Sequence, residues 1–476
     1  MKKLALVILT ASAALCLALS VSAFSGRGTA DYPYVLAGAD DLREFAGRVN
    51  AGDEAYAASY AVLCAPADFA GEAYVPIGTE EHPFRGHFDG GGFLISNVSL
   101  SGADASPYTV NTLSDSGRLQ TETSVSLGLF GTTDGAVIEN VRAGNVTVKM
   151  TGITEKLKVY AGLLTGRMTN TVPHTATAVS GCAVQGAIDV TSTVQVTVYE
   201  GGLIGFLGSE QCKGCTFSVS DCRVSADLYA ASRTFCFMGG CVGQANVKSP
   251  DVTLSLRDIV TDGTVTAPSS TTYVWAGGIV AEIEFDDLWS APVPTATLSA
   301  ADNLVENVFS AVILPDTLGR MAYGGSICGY KENLSGFGAC YTTAYTRTSA
   351  NYSFAGTAVK AAQLTEQPFL NNLVSDPEKW VLTDTYPTLA EDVKDCRLFS
   401  FENGTAVAAY FDEEGEGTAI CALYDEAWRV VDVIAAPFTA EKTVVFESGA
   451  AGAAKAAVFV LDTQTLTPVC GEKRAG

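Results

Sequence analysis

Cations and histidines are scarce in this chain of 476 residues: 29 Lys and Arg stand against 52 Asp and Glu, and there are three histidines. A formal charge of −23 disfavours partners that are polyanions, nucleic acid first, because there is no basic surface to displace their counterions. The acidic residues are scattered, so they read as a solubilising surface and not as a tail. So few histidines leave little for His-based catalysis, and the words GxSxG, HExxH and the P-loop are missing, so no cofactor is expected. Long apolar runs are also lacking, with one exception. Leu4 to Val21 follows Lys2 and Lys3 and ends in Val21-Ser22-Ala23, the pattern of a secretory signal (1–23) cut after Ala23. The run reaches spanning length, but its Ala and Ser content, basic flank and cleavage site favour removal over anchoring. The mature chain is therefore expected to be a secreted or surface-held monomer without an integral membrane segment.

What the sequence has is glycine, 47 residues of it, in a composition that is 47% hydrophobic. That argues for a folded, turn-rich chain and against disorder. Twelve cysteines outlast the signal, an even number in an exported chain, which permits disulfides. A word of the form Gly-Gly-apolar-apolar recurs as AGLLTG (161–166), GGLIGF (201–206), GGCVGQ (239–244), GGIVAE (277–282) and GGSICG (324–329), with LGLFGT (127–132) as a variant. Counted on glycines 128, 162, 202, 240, 278 and 325, the steps are 34, 40, 38, 38 and 47. Most copies are followed by an alternating stretch that opens apolar-x-Asn/Asp/Gly-apolar: Ile138 to Val141, Val179 to Cys182, Val219 to Cys222, Leu256 to Ile259 and Val305 to Val308. Alternation rich in β-branched residues means strand. A unit this small cannot bury its own apolar face and must stack on its neighbours, so the expected fold is all-β, a right-handed parallel β-helix or β-solenoid.

The glycine words paired with IENV-like turns, preceded by IGTEEHPFRGHFDGGGFLISNV, resemble the GLUG-motif proteins, a group of bacterial exported and surface β-solenoids. The resemblance covers roughly residues 30–390 and implies a lead-in helix and a closing W-x-x-x-x-x-Y-P-x-L phrase, matched by ADDLREFAGRVNAG and WVLTDTYPTL. The helix also follows from the residues. Asp40 is a good N-cap for a helix over about 40–51, and Leu42, Phe45, Ala46 and Val49 share one face, a lid for the first coil. The expected organisation is a cap with a lead-in strand (24–76), the β-helix (77–390) and, where short alternating strands such as VAAYF, TAICALYD and LTPVC take over, a small antiparallel β-sandwich (391–476) similar to immunoglobulin or fibronectin modules.

The stretch from His82 to Val98 tests the choice between site and scaffold, because Arg85, His87 and Asp89 stand two apart, as a catalytic set on one strand face would. The GLUG resemblance implies a structural motif of Phe84, Gly86, Phe88, Asp89, Gly90, Gly92, Ile95 and Asn97, with Arg85 and His87 free to vary. Ile95, Asn97 and Val98 are read as the first copy of the step repeated at Ile138, Asn140 and Val141. Cys182, Cys222 and Cys340 fall where other copies have Val98, Val141, Ile259 and Val308, and Cys241 falls where they have Leu163, Leu203 and Ile279, so these are small buried apolar slots. Cys212 and Cys215 form the one CxxC; lacking a second pair or a nearby histidine, it reads as a local disulfide or loop thiols and not as a metal site. The best carboxylate cluster is Glu282, Glu284, Asp286 and Asp287 beside Trp289, a weak binding candidate whose bland reading is a solvated loop.

Two functions follow. The first is a non-enzymatic scaffold that displays loops, with inserts at 169–178, 207–217, 246–255 and 285–302, for adhesion to a host or bacterial surface glycan or protein. The second is a carbohydrate-active enzyme, a polysaccharide lyase or glycoside hydrolase, on the same frame. Outward carboxylates in a groove beside aromatics such as Trp275, Trp289 or Tyr273 would favour the second.

Overall fold

A computed structural model describes residues 25–475 apart from 71–73, 103–106, 114–118, 210–211, 248–251, 285–303, 315–317, 332–335, 344–352, 384–385, 390–394, 403–404, 412–415, 440–442, 448–451 and 463–472. The signal-like residues 1–23, Asp286, Asp287, Trp289 and the LTPVC segment lie outside the described residues. Most of the described chain is strand, with short helices near its start and after Val359. No helix among the described residues is long and apolar enough to cross a membrane.

Among the described residues between Tyr34 and Val359 the strands join three sheets whose pairings are parallel, apart from one hairpin, Tyr108–Leu113 with Leu119–Leu127, and an isolated antiparallel bridge between Cys328 and Phe354. Successive strands visit the sheets in turn. Thr197–Gly201 lies in the second sheet, Ile204–Gly208 in the third and Thr216–Ala231 in the first, and Phe235–Gly239 then pairs in parallel with Thr197–Gly201. The same order recurs with Val242–Asn246, Thr253–Thr266, Tyr273–Gly277 and Val280–Glu284. Inward residues of all three sheets share one long core, from Leu42 and Phe45 to Cys328 and Cys340.

The glycine word marks the corner between the second and third sheets. Paired strands place Gly162, Gly201, Gly239, Gly277 and Gly325 in one row, continued at Gly128. The register read from the sequence is therefore off by one in three copies: the aligned glycines are 201, 239 and 277, not 202, 240 and 278. The reason is steric. A Cβ on Gly201, Gly239 or Gly277 would sit 1.8 Å from the carbonyl oxygen three residues on; Gly202, Gly240 and Gly278 also approach a carbonyl, at 2.0 to 2.1 Å from a Cβ, but in other copies that position accepts Leu163 and Ser326. Cys241 accordingly shares its row with Leu164, Leu203, Ile279 and Ile327, not with Leu163.

A second corner bends the first sheet. Asn140, Gly181, Asp221, Asp258 and Asn307 all have φ between 52° and 61°, the left-handed region that Gly, Asn and Asp enter most readily. This is why the step reads apolar-x-Asn/Asp/Gly-apolar. Ile138, Val179, Val219, Leu256 and Val305 pair in one row before it. Ile95 to Val98 belongs elsewhere, a further correction: Ile95 pairs with Ala143, and Asn97 (φ 57°) stacks under Asn145 (φ 54°), whose Nδ2 donates to Asn97 Oδ1 at 2.6 Å. Phe88 is the residue beside Ile138. Two asparagine corners with similar spelling were read as one.

The lead-in helix runs Ala39–Asn50, one residue earlier than read, and Gly38 is its N-cap. Asp40 does not cap it but pairs with Arg43, while Asp41 accepts from the Ala37 N–H at 2.7 Å. An acid inside the first turn still suits the positive end of the helix. Leu42, Phe45, Ala46 and Val49 are its buried face, with Phe45 edge-on to Phe84 and Tyr56. At the far end, Phe369, Leu370, Leu373 and Trp380 form a second cluster with Phe309, and Tyr386 packs on Phe309. From Asp395 onward the pairing is antiparallel, in one sheet of three strands and one of four; the strand Asp395–Glu402 was not foreseen.

Candidate functional site

Two before five of the corner glycines the row is aromatic, Tyr160, Tyr199, Phe237, Trp275 and Tyr323, and before Gly128 it is continued by Ser126. Alternation along the strand turns this row outward, away from the core row of Ala161, Met238 and Ala276. The rings stack face to face, with centroids 4.9, 5.0, 4.8 and 5.7 Å apart in order and interplanar angles of 6° to 23°. These distances match the spacing of parallel strands. Phe206 from the third sheet closes edge-on against Tyr160 and Tyr199.

On the third sheet the facing row is polar apart from Phe206: Thr132, Arg167, Phe206, Gln244 and Glu282, with Asp134, Thr169, Gly208, Asn246 and Glu284 two residues further out. Between the rows lies a cleft of about 950 Å³, also lined by Glu80, Glu81, Arg85, Glu122, Lys158 and Phe235. From the strand of Asp134 to that of Glu284 is four strand steps, about 19 Å at about 4.8 Å each.

The two ends differ. At the first, Glu80 links the walls: its Oε1 accepts from Ser126 Oγ at 3.0 Å and its Oε2 pairs with Arg167 at 2.5 Å. The Arg167 guanidinium also lies over the Tyr160 ring, 5.3 Å away, in a cation–π contact. Arg85 reaches Glu54 at 3.1 Å and Asp134 at 3.7 Å, and Lys158 pairs with Glu122 at 2.8 Å. At the other end, Gln244 Nε2 donates to Glu282 and, at 3.3 Å, to Glu284, which also accepts from Asn246 Nδ2 at 3.3 Å. Tyr199 faces this set; burial first, then Tyr160, Glu282, Glu284 and Glu122, push its phenol well above the ordinary value. Trp275 Nε1 and Thr132 Oγ1 are buried without a hydrogen-bond partner.

The structure thus puts Glu282 and Glu284 into a groove wall, not a solvated loop. The stretch from His82 to Val98 is divided. Phe84 and Phe88 are buried against Phe130, at 5.6 and 5.2 Å. Gly86 is needed less for those rings than for the Ser59 carbonyl, 2.0 Å from where a Cβ would stand. Asp89 Oδ1 accepts from the Gly91 N–H (2.8 Å) and from Asn140 Nδ2 (3.0 Å), while Gly90 approaches the Asn140 carbonyl and Gly92 holds φ 79°. Ile95 is buried and Asn97 Nδ2 donates to Asp68. His87 Nε2 lies 2.8 Å from Glu139, whose hydrogen bond raises the imidazole pKa. Arg85, His87 and Asp89 therefore have separate partners, and of the three Arg85 borders the groove.

Cys182, Cys222, Cys241 and Cys340 are buried thiols, and burial pushes the last up to about 12. Cys212 and Cys215 are bonded to each other. Contrary to the reading that no histidine is near them, His174 packs on Gly214 between them. Among the described residues, no group of three or more His, Cys, Asp or Glu side chains is placed to hold a metal.

The aromatic row escaped the sequence reading, although aromatic-x-Gly stands before five of the corner words. No protein-family model matches the chain, and no curated protein matches it, so the groove is read from its own chemistry.

Proposed function

We propose that this chain is an exported, surface-associated right-handed parallel β-solenoid of GLUG type with a small β-sandwich module after it, and that it binds a glycan without turnover in the groove between its second and third sheets. The cyclic visiting of three parallel sheets supports the solenoid, and one observation carries the binding: a cleft of about 950 Å³ with an aromatic wall facing a wall of amides and carboxylates. Such a surface offers many convergent hydrogen-bonding groups on a rigid frame, which is what a polyhydroxylated ligand needs. The loop inserts 169–178 and 207–217 follow the third sheet, and Thr169, Thr171, Gly208 and Ser209 at their near ends line the groove, so the groove takes these in and is the main binding element.

The enzyme reading has Glu282 and Glu284 in its favour. Glycosidic cleavage needs two carboxyl groups that flank the bond. Glu282 and Glu284 are on one wall, and the facing strand at their level, Tyr273–Gly277, turns Trp275 to the groove. A glycan array with reducing-sugar and unsaturated-product assays on the mature chain tests both. Binding without product is expected; released product would make the enzyme reading the right one, and the absence of any glycan signal would remove this proposal.

A further inference from the structure

We infer that the groove selects an uncharged, hydroxyl-rich oligosaccharide and rejects polyanionic ones. This rests on the glycan-binding reading. Six carboxylates line the groove against three cations, and each cation already has an acidic partner: Arg85 with Asp134, Arg167 with Glu80, Lys158 with Glu122. A uronate or sulfate would have to break one of these pairs or sit among carboxylates in a partly desolvated cleft, and either lowers its affinity relative to a neutral sugar.

The second observation is the pair of polar atoms left without partners. Thr132 is 3% exposed and borders the groove, and its Oγ1 has no hydrogen bond; neither has Trp275 Nε1. An indole N–H only donates and a carboxylate only accepts. A ligand that satisfies Trp275 and Glu282 together must accept at one point and donate at another within a short span. Hydroxyl groups do both, whereas sulfate and carboxylate groups only accept and ammonium only donates. Ring stacking contributes less, because the faces of Tyr160, Tyr199 and Phe237 are covered by one another; Phe235, 40% exposed at the rim, and Tyr108 are rings placed to meet a sugar.

The test is gel retardation and fluorescence titration of the mature chain with neutral polysaccharides (a β-glucan, a xylan, a mannan) and with polygalacturonate and a sulfated glycan. At least one neutral polymer is expected to bind, with the acidic ones at least tenfold weaker. Trp275→Phe keeps a ring that the next strand already uses, Phe237, and removes the donor; affinity should fall about 2- to 10-fold, the worth of one hydrogen bond, at an unchanged Tm. If that variant melts early, Thr132→Val replaces it with the same expectation. Equal or tighter binding of the acidic polymers overturns the inference but leaves glycan binding intact, and full affinity in a well-folded Trp275→Phe or Thr132→Val overturns it as well. Failure of every polymer overturns both.

Discussion

Glu200 lies in the core row of the second sheet, fully buried, where its neighbours on the adjacent strands are Ala161 and Met238. Burial first, and Asp189 second, push its carboxyl well above the usual carboxylate range. The folded chain therefore holds a proton that the unfolded chain gives up near the ordinary value. Stability from this group is full below the unfolded pKa and is lost as pH rises through the folded one. Glu200→Met copies the neighbouring strand and removes the burden. Urea melts should show a gain of roughly 1–3 kcal/mol at pH 8 and a smaller one near pH 4.5. A loss, or a gain of equal size at both pH values, would rule out this account.

At the scale of elements, the corner glycine is the strictest requirement in the repeat. Gly239→Ala would drive a methyl against the Val242 carbonyl, at 1.8 Å in the present geometry. Both groups are fixed by ladder hydrogen bonds on either side, so relief means moving two strands. The expected cost is about 4 kcal/mol or more, the range reserved for backbone clashes and core disruption. Gly92→Ala should cost only about 1–2 kcal/mol, since a Cβ there meets open space and only the positive φ is penalised. Thermal melts of the two variants give the comparison, and similar Tm losses would show that conformation, not contact, sets the demand. The same glycines explain what the sequence could reveal. Their spacing, and the alternation after them, announced parallel strands and core rows such as Cys222 beside Ile259. The register slipped because adjacent glycines are indistinguishable in sequence and a Cβ on either would meet a carbonyl, so that only the strand pairing tells which one stands in the shared row. The aromatic row was legible in principle as Tyr160-x-Gly162 through Tyr323-x-Gly325. It passed unnoticed because the repeat was read forward from the glycine, and because an aromatic beside a strand end is usually core. Here the same alternation that buries Val159 turns Tyr160 out to the groove. Glu80 carried no sequence signal, and Arg85 stood out only as a partner of His87 and Asp89, from which the structure separates it; what brings Glu80 and Arg85 to the groove is the pairing of Ile77 with Phe130 and of Phe84 with Thr133, contacts some fifty residues apart.

Over the whole molecule, the parallel sheets and the antiparallel sheets after Asp395 are built on different pairing patterns, and the long continuous core ends at Cys340. Two cooperative units are therefore expected to melt separately, since one two-state transition is the exception for chains of this size and organisation. A ligand in the groove binds only the folded form of the parallel part. It should raise that transition alone, by about 2.7 kcal/mol at a ligand concentration one hundred times Kd. Gly239→Ala should lower the same transition and leave the other in place, which assigns the two without dissecting the chain. Calorimetry of the chain from residue 24 onward, with and without whichever neutral polysaccharide binds in the titrations, makes the measurement. A single transition shifted as one by both ligand and variant would mean that the antiparallel sheets fold as one unit with the parallel sheets and are not a separate module.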